Sequence, residues 1–159
     1  MLVRLAALPP LDEAIAAMAG AGVSVRRALA PESPVLLAWV GAHFPVWQAE
    51  VGIACARLPI ACFIAVREGA LLGFACHDVT CRNFFGPAAV DEAARGQGIG
   101  RALLLAALHA QRTDGYAYAI IGGVGPEAFY ARCVGATLIA DSAPGIYAGM
   151  LRGGSSRNA

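Results

Sequence analysis

The 159-residue chain has the length of about one domain, enough to bury a core of its own. Twelve basic against eleven acidic residues leave a net charge of +1, with a pI near 7.7, so there is no basic field to hold a nucleic acid. Hydrophobic residues make up 58% and mean hydropathy is +0.60, yet the longest uncharged stretch, Ser33 to Ala49, is broken by Pro34 and Pro45 and carries His43 and Gln48. It falls short of the roughly 20 apolar residues a membrane span needs.

Along the chain, Leu11, Ile15 and Met18 follow Pro10 at helical spacing, with Asp12 and Glu13 in the first turn and Gly20 and Gly22 at the end. That predicts a first amphipathic helix. Ser24 to Leu29 predicts a short strand. Leu36, Leu37 and Val40 after Pro34, and Trp47, Val51, Ala54 and Leu58 after Pro45, predict two more helices. Ala61 to Val66 and Leu71 to Cys76 are apolar and separated by a turn containing Gly69, which predicts a hairpin. A polar turn near Thr80 to Asn83 leads into a strand from Phe84 to Val90. Gly86-Pro87 within it must break regular pairing, because proline donates no ladder hydrogen bond. A helix follows from Gly98 to about Arg112, capped near Gly115, and then a strand from Tyr116 to Ile121 that ends in Gly122-Gly123-Val124-Gly125-Pro126. Two neighbouring strands that stop pairing at corresponding ends splay into a wedge and leave backbone groups free for a ligand. Glu127 to Val134 predicts a short helix, and Thr137 to Ala140 and Gly145 to Leu151 predict final strands. One domain over residues 1–152 and a mobile tail over 153–159 complete the expectation.

The stretch Arg95-Gly96-Gln97-Gly98-Ile99-Gly100-Arg101-Ala102 runs directly into Leu103-Leu104-Leu105-Ala106-Ala107-Leu108. Alternating glycines at a helix start form an anion site, since the first helical amides lack intrahelical acceptors and the peptide dipoles leave partial positive charge there. Arg95 and Arg101 supply positive partners beside those amides. A nucleotide P-loop requires Gly-Lys-Ser/Thr, and the chain has no lysine; a dinucleotide fingerprint requires different glycine spacing.

With Arg95, Gly98 and Gly100 in the pattern Arg or Gln, two residues, Gly, one residue, Gly or Ala, the loop resembles the acyl-CoA loop of the GNAT superfamily of N-acetyltransferases. The likeness extends upstream to Cys62-Phe63-Ile64-Ala65-Val66, Leu71-Leu72-Gly73-Phe74-Ala75 and the strand ending at Val90, and downstream to Phe129-Tyr130 and Gly135-Ala136. It implies a single α/β (α+β) domain, a mixed, largely antiparallel twisted sheet flanked by helices, with splayed central strands. It implies that amides from Gln97 to Ala102, Gly98, Ile99, Gly100 and Arg101 among them, hold the pyrophosphate of acetyl-CoA. Backbone groups at Ala89 and Val90 would then bind the pantetheine and thioester, and Tyr130 would protonate the departing thiolate. Arg95 reads equally as a cap of the strand and loop, and Tyr130 as a core aromatic.

An acceptor amine with a pKa near 10 is about one part in a thousand neutral at pH 7, so its proton needs an acceptor. The strand before the loop offers no carboxylate in Phe84-Phe85-Gly86-Pro87. Asp78 near the hairpin end is the leading candidate base, with Glu50 and His43 as substitutes. Trp47, Phe44, Phe84 and Phe85 are aromatic and fit either an acceptor site or the core.

Cys55, Cys62, Cys76, Cys81 and Cys133 contain no Cys-x-x-Cys, and His43, His77 and His109 show no spacing of four, so no disulfide framework and no metal is expected. Pro9-Pro10 and Asp12-Glu13 interrupt any signal-peptide core. The expectation is a cytoplasmic N-acetyltransferase moving acetyl from acetyl-CoA directly to a primary amine on a small molecule or peptide, with no nucleic-acid or membrane partner. The alternative is a non-catalytic acyl-CoA-binding sensor or subunit. A homodimer is compatible with either.

Overall fold

A computed structural model describes residues 1–151; the expected tail over 153–159 lies outside them. In chain order the elements are β1 (Leu2–Arg4), α1 (Leu11–Gly20), β2 (Ser24–Arg27), α2 (Ser33–His43), α3 (Gln48–Cys55), β3 (Cys62–Arg67), β4 (Ala70–His77), β5 (Phe84–Val90), α4 (Ile99–Thr113), β6 (Tyr118–Ile121) and α5 (Glu127–Val134). Six strands form one sheet in the order β1-β6-β5-β4-β3-β2. Every neighbouring pair is antiparallel except β5 and β6. Residues from α4 between Ala102 and Leu108 are buried without interruption, since the helix lies against the sheet on one side and α1 on another.

Two apolar layers cover the two sheet faces. Val3, Leu5, Met18, Leu104, Leu108 and Ile121 belong to the layer beneath α1 and α4. Leu36, Val40, Val51, Ile64 and Phe74 belong to the layer beneath α2 and α3. None of the helices among the described residues is long and apolar enough to cross a membrane.

Pairing between β4 and β5 jumps from Ala75↔Ala88 to His77↔Phe85, so Gly86 and Pro87 together oppose Cys76 in a bulge. Gly86 takes φ +114°, a conformation closed to residues with a Cβ. On its other edge β5 pairs with β6 only through Phe84↔Ile120 and Phe85↔Ile121. Beyond Gly86 and Gly122 the two strands separate, which is the splay expected from their glycine and proline content.

Two expectations are corrected. The final strands do not form among the described residues: Thr137 makes an isolated bridge to Leu2, and Gly145–Tyr147 is a single 3-10 turn. Leu138, Ile146, Met150 and Leu151 stay exposed, so these apolar residues find no sheet face to cover. The sheet edge beside β6 is instead filled by β1, whose Leu2 to Arg4 pair with Ile120 to Tyr118.

Candidate active site

The glycine loop is built by left-handed backbone at Gly96 (φ +78°) and Gly98 (φ +86°), the latter forming the amino-terminal cap of α4. Upstream, Asp91 accepts a hydrogen bond from Ala93 N–H at 2.9 Å, fixing the short turn over Glu92–Ala94 that leads into the loop. The amide of Ala102 donates to Gly98 O at 3.1 Å. This places Ile99, Gly100 and Arg101 in the first turn, where amides have no intrahelical acceptor. Ala102 is thereby corrected as a diphosphate donor, because its amide is engaged and the residue is buried.

A cleft of about 600 Å³ runs from this loop along β5 to α5. Arg95, Gly98, Ile99, Gly100 and Arg101 form its loop end, and Ala88, Ala89 and Val90 its strand wall. Arg95 caps the end of β5, its Nε donating to Val90 O at 3.4 Å, while the side chain stays exposed at the cleft. Gln97 lies outside the cleft wall, its side chain bonded to Arg67 Nη2 at 3.0 Å and to Ala93 O at 3.4 Å. Arg67, at the end of β3, is thus a support of the loop that the sequence offered no signal for.

Tyr130 projects from α5 to the inner end of the cleft, packed edge-on against Phe85 and Phe129 with ring centroids at 6.1 and 5.2 Å. Burial pushes its phenol above the ordinary tyrosine value, so it holds its proton at neutral pH. A second cavity of about 300 Å³ adjoins the first and shares Trp47, Phe85, Ala88, Pro126 and Tyr130 with it. Glu50 and Thr80 enter this second cavity, with the Thr80 hydroxyl donating to Glu50 Oε1. Tyr147 closes it from the carboxy-terminal turn. A Cβ on Gly122 would come within 2.5 Å of the Tyr147 hydroxyl and 2.9 Å of Phe84 Cε2, so glycine is what lets this turn lie over the end of β6. Thr80 and Tyr147 escaped the sequence reading; Tyr147 fell in a segment expected to be strand.

Asp78 and His43 are not brought to either cavity. Asp78 sits at φ +56°, and its Oδ1 accepts from Asn83 N–H at 2.6 Å and from Gln111 Nε2 at 3.3 Å. Its Oδ2 lies 3.3 Å from His77 Nδ1. The carboxylate therefore ties the β4–β5 turn to α4, and of the three base candidates Glu50 is the one that lines a cavity, the second one. Burial holds the His77 imidazole below the usual histidine value despite the opposing effect of Asp78. His77, Asp78 and Asp114 bring ligand atoms within 4.8 Å of one another; Asp78 Oδ1 is bonded to Asn83 and Gln111, and Arg27 Nη1 lies 3.4 Å from His77 Nε2. His43 is exposed and bonds Trp39 O at 2.8 Å through Nδ1.

A family model described as an acetyltransferase (GNAT) domain matches residues 59–133, which run from just before β3 to α5 and include the wedge, the loop and Tyr130. Among solved structures, the chain is similar to the GCN5-related glucosamine N-acetyltransferase region of a fungal multi-domain GH3 β-N-acetylglucosaminidase, with a TM-score of 0.68 at 16% identity. That match covers 84% of this chain and 19% of the other. A GCN5-related N-acetyltransferase from Sphaerobacter thermophilus gives a TM-score of 0.61 at 17% identity, covering 83% of this chain and 45% of that one. The chain thus spans less than half the length of either protein. No curated protein sequence matches it. Residues 59–133, which include most of the residues that build the cleft, thus match the GNAT acetyltransferase domain, and most of the chain shares the fold of GCN5-related N-acetyltransferases.

Proposed function

We propose that the protein transfers an acetyl group from acetyl-CoA to a primary amine. The observation that carries this reading is the continuity of one cleft from the free amides of α4, through the unpaired edge of β5, to the hydroxyl of Tyr130. A diphosphate fits the loop end, where first-turn amides and two arginines converge. An extended pantetheine arm fits beside β5 beyond Gly86 as an added strand would, because that edge has lost β6 as its partner. The thioester carbonyl then lies near Ala89 and Val90, where a backbone N–H stabilises the negative charge that develops on oxygen in the transition state. Tyr130 holds its proton for the thiolate as the C–S bond breaks.

The adjoining second cavity favours catalysis over simple acyl-CoA binding, since it offers a place for an acceptor that meets the first cavity at Tyr130. Glu50 supplies there the carboxylate that β5 lacks.

The test is a thermal melt with acetyl-CoA, CoA and ATP side by side, followed by thiol release with a panel of amines. A ligand at a hundred times its Kd stabilises by about 2.7 kcal/mol, which corresponds to a rise of roughly 5 to 11 °C for a domain of this size. An equal shift with ATP, or none with acetyl-CoA, overturns the assignment.

A further inference from the structure

We propose that the acceptor is an arylalkylamine or similar apolar primary amine, held as its ammonium by Glu50 in the cavity of about 300 Å³ between α3, the end of β6 and the Tyr147 turn. This rests on the acetyltransferase reading above and narrows it to a substrate class. Glu50 is the one formally charged side chain that lines this cavity among the described residues, and its carboxylate is held in place by the Thr80 hydroxyl. A fixed carboxylate at a cavity wall selects a cation. No arginine lines the cavity among the described residues, so an acceptor bearing a carboxylate or phosphate near its amine meets no countercharge and faces Glu50.

The remaining walls decide the skeleton. Trp47, Phe85, Pro87, Ile121 and Pro126 present apolar surface, and Trp47, Tyr130 and Tyr147 present ring surface suited to an aromatic group or an ammonium. Side-chain hydroxyls are few, and that of Thr80 is committed to Glu50. A polyhydroxylated acceptor therefore finds few side-chain partners for its hydroxyls. The volume lies at the low end for small-molecule sites and suits one compact amine.

Because the cavity meets the acyl-CoA cleft at Phe85, Ala88 and Tyr130, an amine at Glu50 has a route to the thioester. The ammonium passes one proton to the Glu50 carboxylate, from which it leaves to solvent. The nitrogen lone pair forms the C–N bond, and the C–S bond breaks with its electron pair on sulfur. The second N–H proton leaves the amide nitrogen and balances the proton that Tyr130 gives to the thiolate. The products are the N-acetyl amine, CoA thiol and one released proton.

The experiment is calorimetric titration of tryptamine, tryptophan and glucosamine into the protein, with and without CoA, using wild type, Glu50→Gln and Thr80→Val. Tryptamine and tryptophan share a skeleton and differ by one carboxylate; glucosamine carries an amine on a polar frame. Tryptamine is expected to bind at least about tenfold more tightly than either. Glu50→Gln should weaken tryptamine by about 10- to 100-fold, the loss of a hydrogen bond to a charged group, while CoA affinity is retained. Thr80→Val keeps the charge but frees the carboxylate and should give a smaller loss. Absence of tryptamine binding, equal or tighter binding of tryptophan or glucosamine, or an unchanged tryptamine affinity in Glu50→Gln each overturns the inference. Failure of CoA to bind removes the acetyltransferase reading instead, and the titrations without CoA still report on the cavity.

Discussion

Replacing Gly73 by alanine tests whether the spacing of β4 and β5 sets the floor of the larger cleft, the one proposed to hold acyl-CoA. Gly73 is buried on β4 and pairs with Ala65 on one side and Val90 on the other. A Cβ built there would lie 2.6 Å from Ala89 O, 3.1 Å from Val90 Cα and 3.2 Å from Val90 Cγ2. Two of these contacts are to backbone, which cannot rotate away as a side chain can. To bring the closest contact to 3.0 Å, β5 must retreat by at least about 0.4 Å at the two residues assigned to the thioester. Overpacking of this kind costs about 1 to 3 kcal/mol, or a fall in melting temperature of roughly 2 to 12 °C at 2 to 4 °C per kcal/mol. Acetyl-CoA affinity should fall with it, because the displaced strand is the cleft wall. Gly52→Ala is the control: in α3 its Cβ would meet only Leu37 Cδ2 at 3.9 Å, so the lower unfolded-state entropy should stabilise by about 0.5 to 1 kcal/mol. Differential scanning calorimetry and acetyl-CoA titration read both quantities. A Gly73→Ala protein that melts at the wild-type temperature and keeps wild-type affinity would show that close approach of β4 to β5 is not required.

Tyr130→Phe removes only a hydroxyl and should lower single-turnover acetyl transfer by about 10²-fold or more with acetyl-CoA affinity kept; an unaltered rate removes Tyr130 from the mechanism. Gly98→Val and Gly100→Val should both weaken acetyl-CoA, but only the first should also destabilise strongly, because Gly98 sits at φ +86° with Met18 Cε 3.1 Å from a Cβ, whereas a Cβ on Gly100 meets Phe129 and Val90 at 3.6 Å. Equal melting temperatures for the two variants would contradict that geometry. Arg26 and the Leu29 amide hold Glu32 down at about 2, below its unfolded value. The pair's contribution is therefore present above about pH 4.5 and lost as pH falls toward 2. Glu32→Gln should flatten the acid limb of stability over that window by less than about 1 kcal/mol, since both side chains are partly exposed, and urea melts from pH 7 to 2 measure it.

What the chain determines by itself is local. The alternating glycines ahead of Leu103 to Leu108 place a helix cap and its free amides, because left-handed backbone and amino-terminal amides are properties of neighbouring residues. Gly86-Pro87 and Gly122-Gly123 likewise mark where pairing stops, since a missing N–H or Cβ acts wherever the strand lies. Tertiary structure decided the rest. β1 spans Leu2–Arg4, too short for any periodicity, and exists because Tyr118 to Ile120 offer it an edge from the far end of the chain. Thr137 to Ala140 and Gly145 to Leu151 look like strands by composition, but β1 already occupies the edge they would have joined, and they keep only the Leu2↔Thr137 bridge and one 3-10 turn. Between Asp78 and Glu50, residue type cannot choose. Asp78 turns back at positive φ onto the Asn83 amide and Gln111, whereas Glu50 reaches the second cavity from α3 with Thr80 beside it. Which carboxylate faces a cavity depends on how the elements pack, a property of tertiary structure rather than of either residue's neighbours.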